Sequence, residues 1–229
     1  MTIRSILAKI KRRLFEKVLG GGIVYFDHFS RSDIMRQSAE YLLTNMIKGD
    51  YLHFGVGSGG DFISSYKCFN KQLISCHYYL FDSFQGNPTP GDDFGGKYKK
   101  GAYTYSKENL LKQLKAEKIS PSQYTITEGY FNKLSTEELK QSLPLEKAAI
   151  VVLDCDLYES TTSALKVVLP YLQPGALLLV GEYFNYGGDA TRGMRKALQE
   201  FLDNPEIGFK FIDWKPYGVS GKALIIQTK

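Results

Sequence analysis

The stretch YLHFGVGSGGDF, Tyr51 to Phe62, decides the fold. A strand-like opening, YLHF, runs into a burst of glycines in which Gly55, Gly57 and Gly60 spell G-x-G-x-x-G, and a helical pattern follows over Asp61 to Phe69. A strand that turns so sharply into a helix, and a backbone that must lie against a ligand, both favour residues without a Cβ. A nucleotide site then needs an acid at the end of the next strand, to accept bonds from ribose hydroxyls. Asp82, in the apolar run YYLFDSF (Tyr78 to Phe84), lies about 20 residues beyond Gly60, the spacing expected of that pairing. Together the two signals predict a nucleotide cofactor held by Gly55, Gly57, Gly59 and Asp82.

The same alternation extends in both directions. A helix is expected from Ser32 to Met46, with Ser32 or Asp33 as its cap and Ile34, Ala39, Leu42, Leu43 and Met46 as its apolar face. QGNPTPGDDFGGKYKKG (Gln85 to Gly101) reads as loop, and Ser106 to Lys115 as a helix capped by Ser106. Gln123 to Gly129 is a third strand. AAIVVLDCD (Ala148 to Asp156) is a fourth, apolar as a strand covered on both faces must be. Helices over Ser160 to Leu172 and Thr191 to Leu202 flank a fifth strand, Ala176 to Tyr183. Two closing strands, GFKFIDW and KALIIQT, are joined by the turn sequence KPYGVSG, so they should run antiparallel. The pattern predicts an α/β, Rossmann-like, doubly wound fold: a mostly parallel seven-stranded sheet, a C-terminal antiparallel pair and helices on both faces.

Bulk properties agree with one large domain. The chain has 229 residues, 43% of them hydrophobic and 23% charged, enough for a sizeable core. A net charge of +5 permits an anionic ligand without arguing for nucleic acid. Three cysteines, Cys68, Cys76 and Cys155, lack metal-type spacing and point to a reducing, cytoplasmic setting. The opening residues MTIRSILAKIKRRLFEKVLGGG place Ile3, Ile6, Leu7, Ile10, Leu14 and Val18 at helical spacing among basic residues. They predict an accessory helix against the domain or a partner subunit, with a membrane-surface helix as the alternative. Residues 1–31 are therefore set apart as an extension that covers the site or supports a homodimer, and 32–229 as the domain. No apolar run is long enough to span a membrane.

Both NAD and S-adenosylmethionine (SAM) suit a glycine turn of this kind. Tyr103 and Lys107 have the spacing of a dehydrogenase Tyr-x-x-x-Lys, but they precede the third strand instead of following the fourth. LDCDLYESTTSAL (Leu153 to Leu165) resembles the aspartate-rich motif of the macrocin O-methyltransferase (TylF-like) family. FGVGSGG resembles that family's SAM loop, FDSFQGNP its second-strand motif, EGYF (Glu128 to Phe131) its K-G-x-F step and LQPGALLLVGEY its P-G-G-x-x-x-x-D-D-Y, in the same order over about residues 35 to 205. The resemblance implies a class I, SAM-dependent O-methyltransferase acting on a hydroxyl of a sugar or other small polyhydroxylated acceptor. It widens the cofactor set to His53, Ser58, Ser83, Glu128, Gly129 and Asp154, and it implies magnesium held by aspartates.

Methyl transfer to a hydroxyl needs alignment and a way to remove the proton, through a base or a metal. Asp154 ends the fourth strand, Asp156 follows, and Glu182 ends the fifth. These three form the candidate carboxylate cluster, with Asp154 and Glu182 as catalytic residues and all three as magnesium ligands. Asp156 has a second reading, as a helix cap. Two positions depart from the family pattern. Gly181-Glu182-Tyr183 stands where the family has Asp-Asp-Tyr, and His53 stands where an acid precedes the glycine loop. These departures keep open a SAM-binding or assembly protein impaired in catalysis, and an NAD-dependent oxidoreductase is a third reading. Tyr25, His28, Arg31, the Gln85–Gly101 loop as a lid, Tyr183, Phe184 and Tyr186 are further candidates for the acceptor wall, each with packing as its alternative.

Overall fold

The computed structural model describes residues 22–72, 74–92, 94–134 and 136–229, with the backbone alone for 22–30, 136, 140 and 142. The expected basic helix before residue 21 lies outside the described residues, and so do the side chains of Tyr25 and His28. Among the described residues a seven-stranded sheet runs in the order β3-β2-β1-β4-β5-β7-β6. The strands are β1 (Asp50–Phe54), β2 (Tyr78–Asp82), β3 (Tyr124–Glu128), β4 (Ala148–Leu153), β5 (Leu177–Val180), β6 (Phe209–Tyr217) and β7 (Gly221–Thr228). β1 to β5 pair in parallel, and β7 pairs antiparallel with both β5 and β6, as the short C-terminal turn requires.

Alternation along the strands divides the core into two layers. Leu52, Phe54, Val151, Leu153, Leu178 and Val180 face α5 (Tyr158–Val168) and α6 (Gly193–Asp203). Tyr51, Leu80, Ile150, Val152, Leu177 and Leu179 face α1 (Gly22–Thr44), α2 (Gly60–Lys71) and α3 (Lys107–Ala116). A short α4 (Thr136–Ser142) contributes Leu139 to the first layer. With both faces covered, β4 and β5 are buried at every position, hence their unbroken apolar sequence.

Several boundaries differ from the sequence expectation, each for a physical reason. α1 is helical from the first described residue, Gly22, and runs straight through Ser32 and Asp33. Asp33 does not cap it but pairs with Arg36 one turn on, at 2.9 Å. β4 stops at Leu153, so Asp154 to Asp156 form a turn in which Asp156 takes φ 60°. α5 begins at Tyr158 and gives way at Val168 to a 3-10 turn that carries Pro170, which cannot continue an α-helix. β6 runs on to Tyr217, leaving a tight turn at Gly218 to Ser220. Ser106 caps α3 as expected, accepting the Asn109 N–H at 3.3 Å.

The strand order reverses between β1 and β4, and the crevice at their carboxyl ends is where such sheets bind ligands. α1 leans over this edge and also packs on the C-terminal hairpin. Its Tyr41 ring lies 5.2 Å from that of Trp214, the chain's single tryptophan, and Lys215 Nζ donates to Gln37 Oε1. No helix among the described residues is long and apolar enough to cross a membrane. Leu178, at 0% exposure in the middle of β5, tests the core. Leu178→Ala is expected to lower the free energy of unfolding by about 2–5 kcal/mol, read from urea transitions with an unchanged slope.

Candidate functional site

The glycine turn after β1 is built on left-handed backbone: φ is 86° at Gly55, 53° at Gly57 and 88° at Gly59. A Cβ on Gly55 would stand 2.0 Å from the Asp154 carbonyl oxygen, so only glycine lets β1 and β4 deliver their ends side by side. Asp82 closes the turn from β2. Its Oδ2 accepts the Gly57 N–H and its Oδ1 the Phe84 N–H, both at 2.7 Å. Burial raises its pKa, and these backbone bonds oppose the rise. Gly129 N–H reaches the Asp82 carbonyl at 2.9 Å, and Ser83 Oγ donates to the Gly86 carbonyl at 3.1 Å.

Two connected hollows flank this turn. A cleft of about 440 Å³ is lined by Arg31, His53, Gly55, Gly57, Ser58, Asp61, Lys97, Tyr98, Tyr103, Tyr105, Asp154, Asp156 and Glu182 among others. A recess of about 80 Å³ adds Asp82, Ser83, Asn87, Gly129 and Phe131 and shares Gly55, Gly57, Tyr103, Tyr105, Asp154 and Asp156. Most residues expected to hold a cofactor therefore meet in one place. Gly59 and Glu128 stand apart from both linings. Gly59 starts α2 beneath Leu110, and Glu128 is exposed and ion-paired to Lys107 at 2.9 Å.

His53 is 1% exposed on the α1 side of the sheet. Its Nδ1 lies 3.0 Å from Tyr51 Oη; the Tyr51 hydroxyl donates to Ser65 Oγ, and Ser65 donates to the Asp61 carbonyl. With the protons running in that direction, Nδ1–H donates to Tyr51 and Nε2 is a bare acceptor. Nε2 is buried with no protein partner, in a residue that lines the cleft. A ligand donor would satisfy it. Burial pushes the imidazole pKa down to about 4, Arg31 adds to the fall and Asp154 opposes it.

The carboxylates come together around Arg31. Arg31 Nη1 bonds Asp61 Oδ2 at 3.1 Å and Asp154 Oδ2 at 3.2 Å, and Nη2 reaches Glu182 Oε1 at 3.4 Å. The other Glu182 oxygen accepts from Ser220 Oγ at 2.8 Å and Asn185 Nδ2 at 2.5 Å. Burial and Asp154 raise the Glu182 pKa, and Ser220 and Arg31 pull it back. Asp156 does not cap α5, whose N-cap is Leu157 with no side-chain bond. Its carboxyl lines both hollows, its pKa pushed up to about 8 by burial and then by Asp154 and Glu182. The left-handed φ of Asp156 is a strained choice for a residue with a side chain, of the kind that gathers at functional sites.

A divalent ion fits this arrangement poorly. Among the described residues no three His, Cys, Asp or Glu side chains are grouped as metal ligands. The Arg31 guanidinium bridges the carboxylates that would have to coordinate, and a Cβ on Gly181 would meet Asp154 Oδ1 at 2.2 Å. Asp154 thus occupies the space that the family's aspartate at position 181 would need.

Asp61 and Lys97 were missed in the sequence reading. Asp61 has a local signal, an acid in the first turn of the helix after the glycines, which reads as a partner for the helix dipole. Lys97 and Tyr98 come from the glycine-rich loop, which is pinned rather than free. Asp92 pairs with Arg192 at 2.6 Å, Gly91 N–H donates to Glu159, and Phe94 packs on Tyr186. Tyr183, Phe184 and Tyr186 pack beside the cleft without lining it.

Residues 29–216 match the family described as Macrocin-O-methyltransferase (TylF). The chain is similar to 8-demethyl-8-(2,3-dimethoxy-alpha-L-rhamnosyl)-tetracenomycin-C 4'-O-methyltransferase of Streptomyces olivaceus, 26% identical over 85% of this chain and 76% of that one. It is similar to demethyldecarbamoylnovobiocin O-methyltransferase of Streptomyces niveus, 25% identical over 67% of this chain and 60% of that one. The solved O-methyltransferase NovP superposes with a TM-score of 0.68 at 21% identity, over 87% of this chain and 80% of that one, a likeness of fold.

His53 makes stability depend on pH. Its folded pKa of about 4 lies below the ordinary value of 6.5, so between these values the unfolded chain binds the extra proton. The stabilisation is full above pH 6.5 and is lost as pH falls toward 4, by about 3 kcal/mol. Urea unfolding across this range should show His53→Gln losing that part of the slope. An unchanged difference between the two proteins from pH 7 to pH 4 would contradict it.

Proposed function

This chain belongs to the macrocin O-methyltransferase (TylF) family, and on that footing we propose that its cleft transfers the methyl group of SAM to a hydroxyl of a sugar or sugar-bearing small molecule. One observation carries the reading: Asp154, Asp156 and Glu182 line the same cleft as the glycine turn. The recess beside Asp82 and Gly129 suits the nucleoside half of the cofactor, with the Asp82 carboxylate on the ribose hydroxyls. The bare Nε2 of His53 suits the ammonium of the methionine half. Tyr98, Tyr103 and Tyr105 give the cleft flat rings with polar edges, which suit the mixed C–H and hydroxyl surface of a sugar. The rhamnosyl group in the name of the Streptomyces olivaceus relative supports the same acceptor class.

The reaction is an in-line displacement. The acceptor O–H gives its proton to a carboxylate, the oxygen takes the methyl carbon, and the C–S bond electrons return to sulfur, which leaves S-adenosylhomocysteine. Asp156 is the best placed of the three to take the proton, because Asp154 and Glu182 are both engaged by Arg31. A carboxyl with its pKa near the working pH is matched to that task. Asp154 and Glu182 then fix the acceptor hydroxyls.

S-adenosylhomocysteine should bind the wild-type protein in calorimetry and NAD should not. Transfer of labelled methyl from SAM to members of a rhamnoside panel should be detectable. Asp156→Asn is expected to lower kcat by about 10²–10⁴-fold while leaving S-adenosylhomocysteine affinity unchanged. Wild-type turnover in that variant would remove Asp156 from proton transfer, and NAD binding without S-adenosylhomocysteine binding would overturn the cofactor.

A further inference from the structure

The geometry at the carboxylate cluster points to a built-in cation. We propose that Arg31 takes the place of a divalent metal: its guanidinium, delivered by α1, balances and orients Asp61, Asp154 and Glu182, and methyl transfer proceeds without a metal ion. Two independent observations support this. Nη1 is shared between Asp61 and Asp154 while Nη2 reaches Glu182, so one planar fork spans three carboxylates from three parts of the chain. Position 181, which would supply a further acid by the family pattern, is glycine, and Asp154 Oδ1 lies in the space its side chain would fill.

The two features belong together chemically. Magnesium demands oxygen ligands at about 2.0–2.1 Å in octahedral array, and a guanidinium among those oxygens both repels the ion and uses the lone pairs it needs. A guanidinium asks less: its donors are fixed in a plane, its charge is permanent, and N···O contacts near 3 Å suffice. Losing one acid at position 181 lowers the negative charge of the cluster toward what a single positive group can offset. Arg31, at 14% side-chain exposure, is sheltered enough for that charge to act strongly. Arg31 is a positioning residue here; it acts through Asp154 and Glu182. This catalytic role rests on the O-methyltransferase reading, whereas the claim about metal binding stands without it.

Metal binding is therefore measured separately from turnover. Mn2+, as a paramagnetic probe titrated to about 1 mM, is followed by electron paramagnetic resonance with the wild-type protein, Arg31→Met and Arg31→Lys, and S-adenosylhomocysteine binding is measured on all three. The wild type and Arg31→Lys should leave the Mn2+ signal free. Arg31→Met should bind Mn2+ at least about tenfold more tightly. Wild-type methyl transfer should be unchanged by EDTA, and Arg31→Met should lose kcat and regain part of it with magnesium. Tight Mn2+ binding by the wild type, equal Mn2+ binding by wild type and Arg31→Met, or abolition of wild-type turnover by EDTA would each overturn the proposal. Absence of S-adenosylhomocysteine binding in the wild type would instead overturn the cofactor reading and leave the Mn2+ comparison to decide the role of Arg31.

Discussion

Everything at the site depends on how closely two strand ends approach one another. Gly55 leaves β1 with its α-carbon directed at the carbonyl of Asp154, where any Cβ would stand at 2.0 Å. The Asp154 N–H bonds the Phe54 carbonyl at 2.9 Å and the Gly55 N–H bonds the Phe81 carbonyl at 2.8 Å, so the ladder stays intact to the last residue before the chains part. The glycine turn, the carboxylates of the β4 loop and the acid of β2 are thus held in one frame by backbone hydrogen bonds. Side-chain packing in the two core layers supports that frame from behind.

The site also concentrates like charge. Asp61, Asp154, Asp156 and Glu182 share one cleft with Arg31 and Lys97. Such a group is costly to assemble, because each carboxylate loses solvation and gains a repulsive neighbour. Arg31 offsets part of that cost and does so unevenly. It bonds Asp154 and Glu182 directly and leaves aside Asp156, which burial, then Asp154 and Glu182, push up to about 8. Burial raises both Asp156 and Glu182, and Arg31 pulls Glu182 back, a difference that suits dividing binding from proton transfer between the two.

Local constraints were readable in the sequence and distant ones were not. Gly55, Gly57 and Asp82 declared themselves because a left-handed turn and an acid at a strand end follow from a few consecutive residues. Asp154 and Glu182 declared themselves because they interrupt apolar strands at the edge where ligands bind. The length of α1 did not, since Ser32 and Asp33 look like caps and only tertiary packing carries the helix through them. The turn at Asp156 was hidden inside an apolar run that reads equally as strand. Glu128 was placed in the site by resemblance, whereas Lys107 draws it outward. The pairing of Arg31 with Asp154 joins residues 123 apart, and no periodicity reports such a contact. For that reason the guanidinium among the expected magnesium ligands was not legible in the sequence.

The same helix that carries Arg31 also carries Tyr41, whose ring rests against Trp214 on the C-terminal hairpin. Since the chain holds one tryptophan, the indole emission excited at the red edge, beyond tyrosine absorption, has a single origin. That origin lies at the seam between α1 and the hairpin, remote from the cleft but joined to it by one continuous helix. The indole is a native optical gauge of whether α1 is seated, and hence of whether the guanidinium is in register with its carboxylates, in a protein that needs no label.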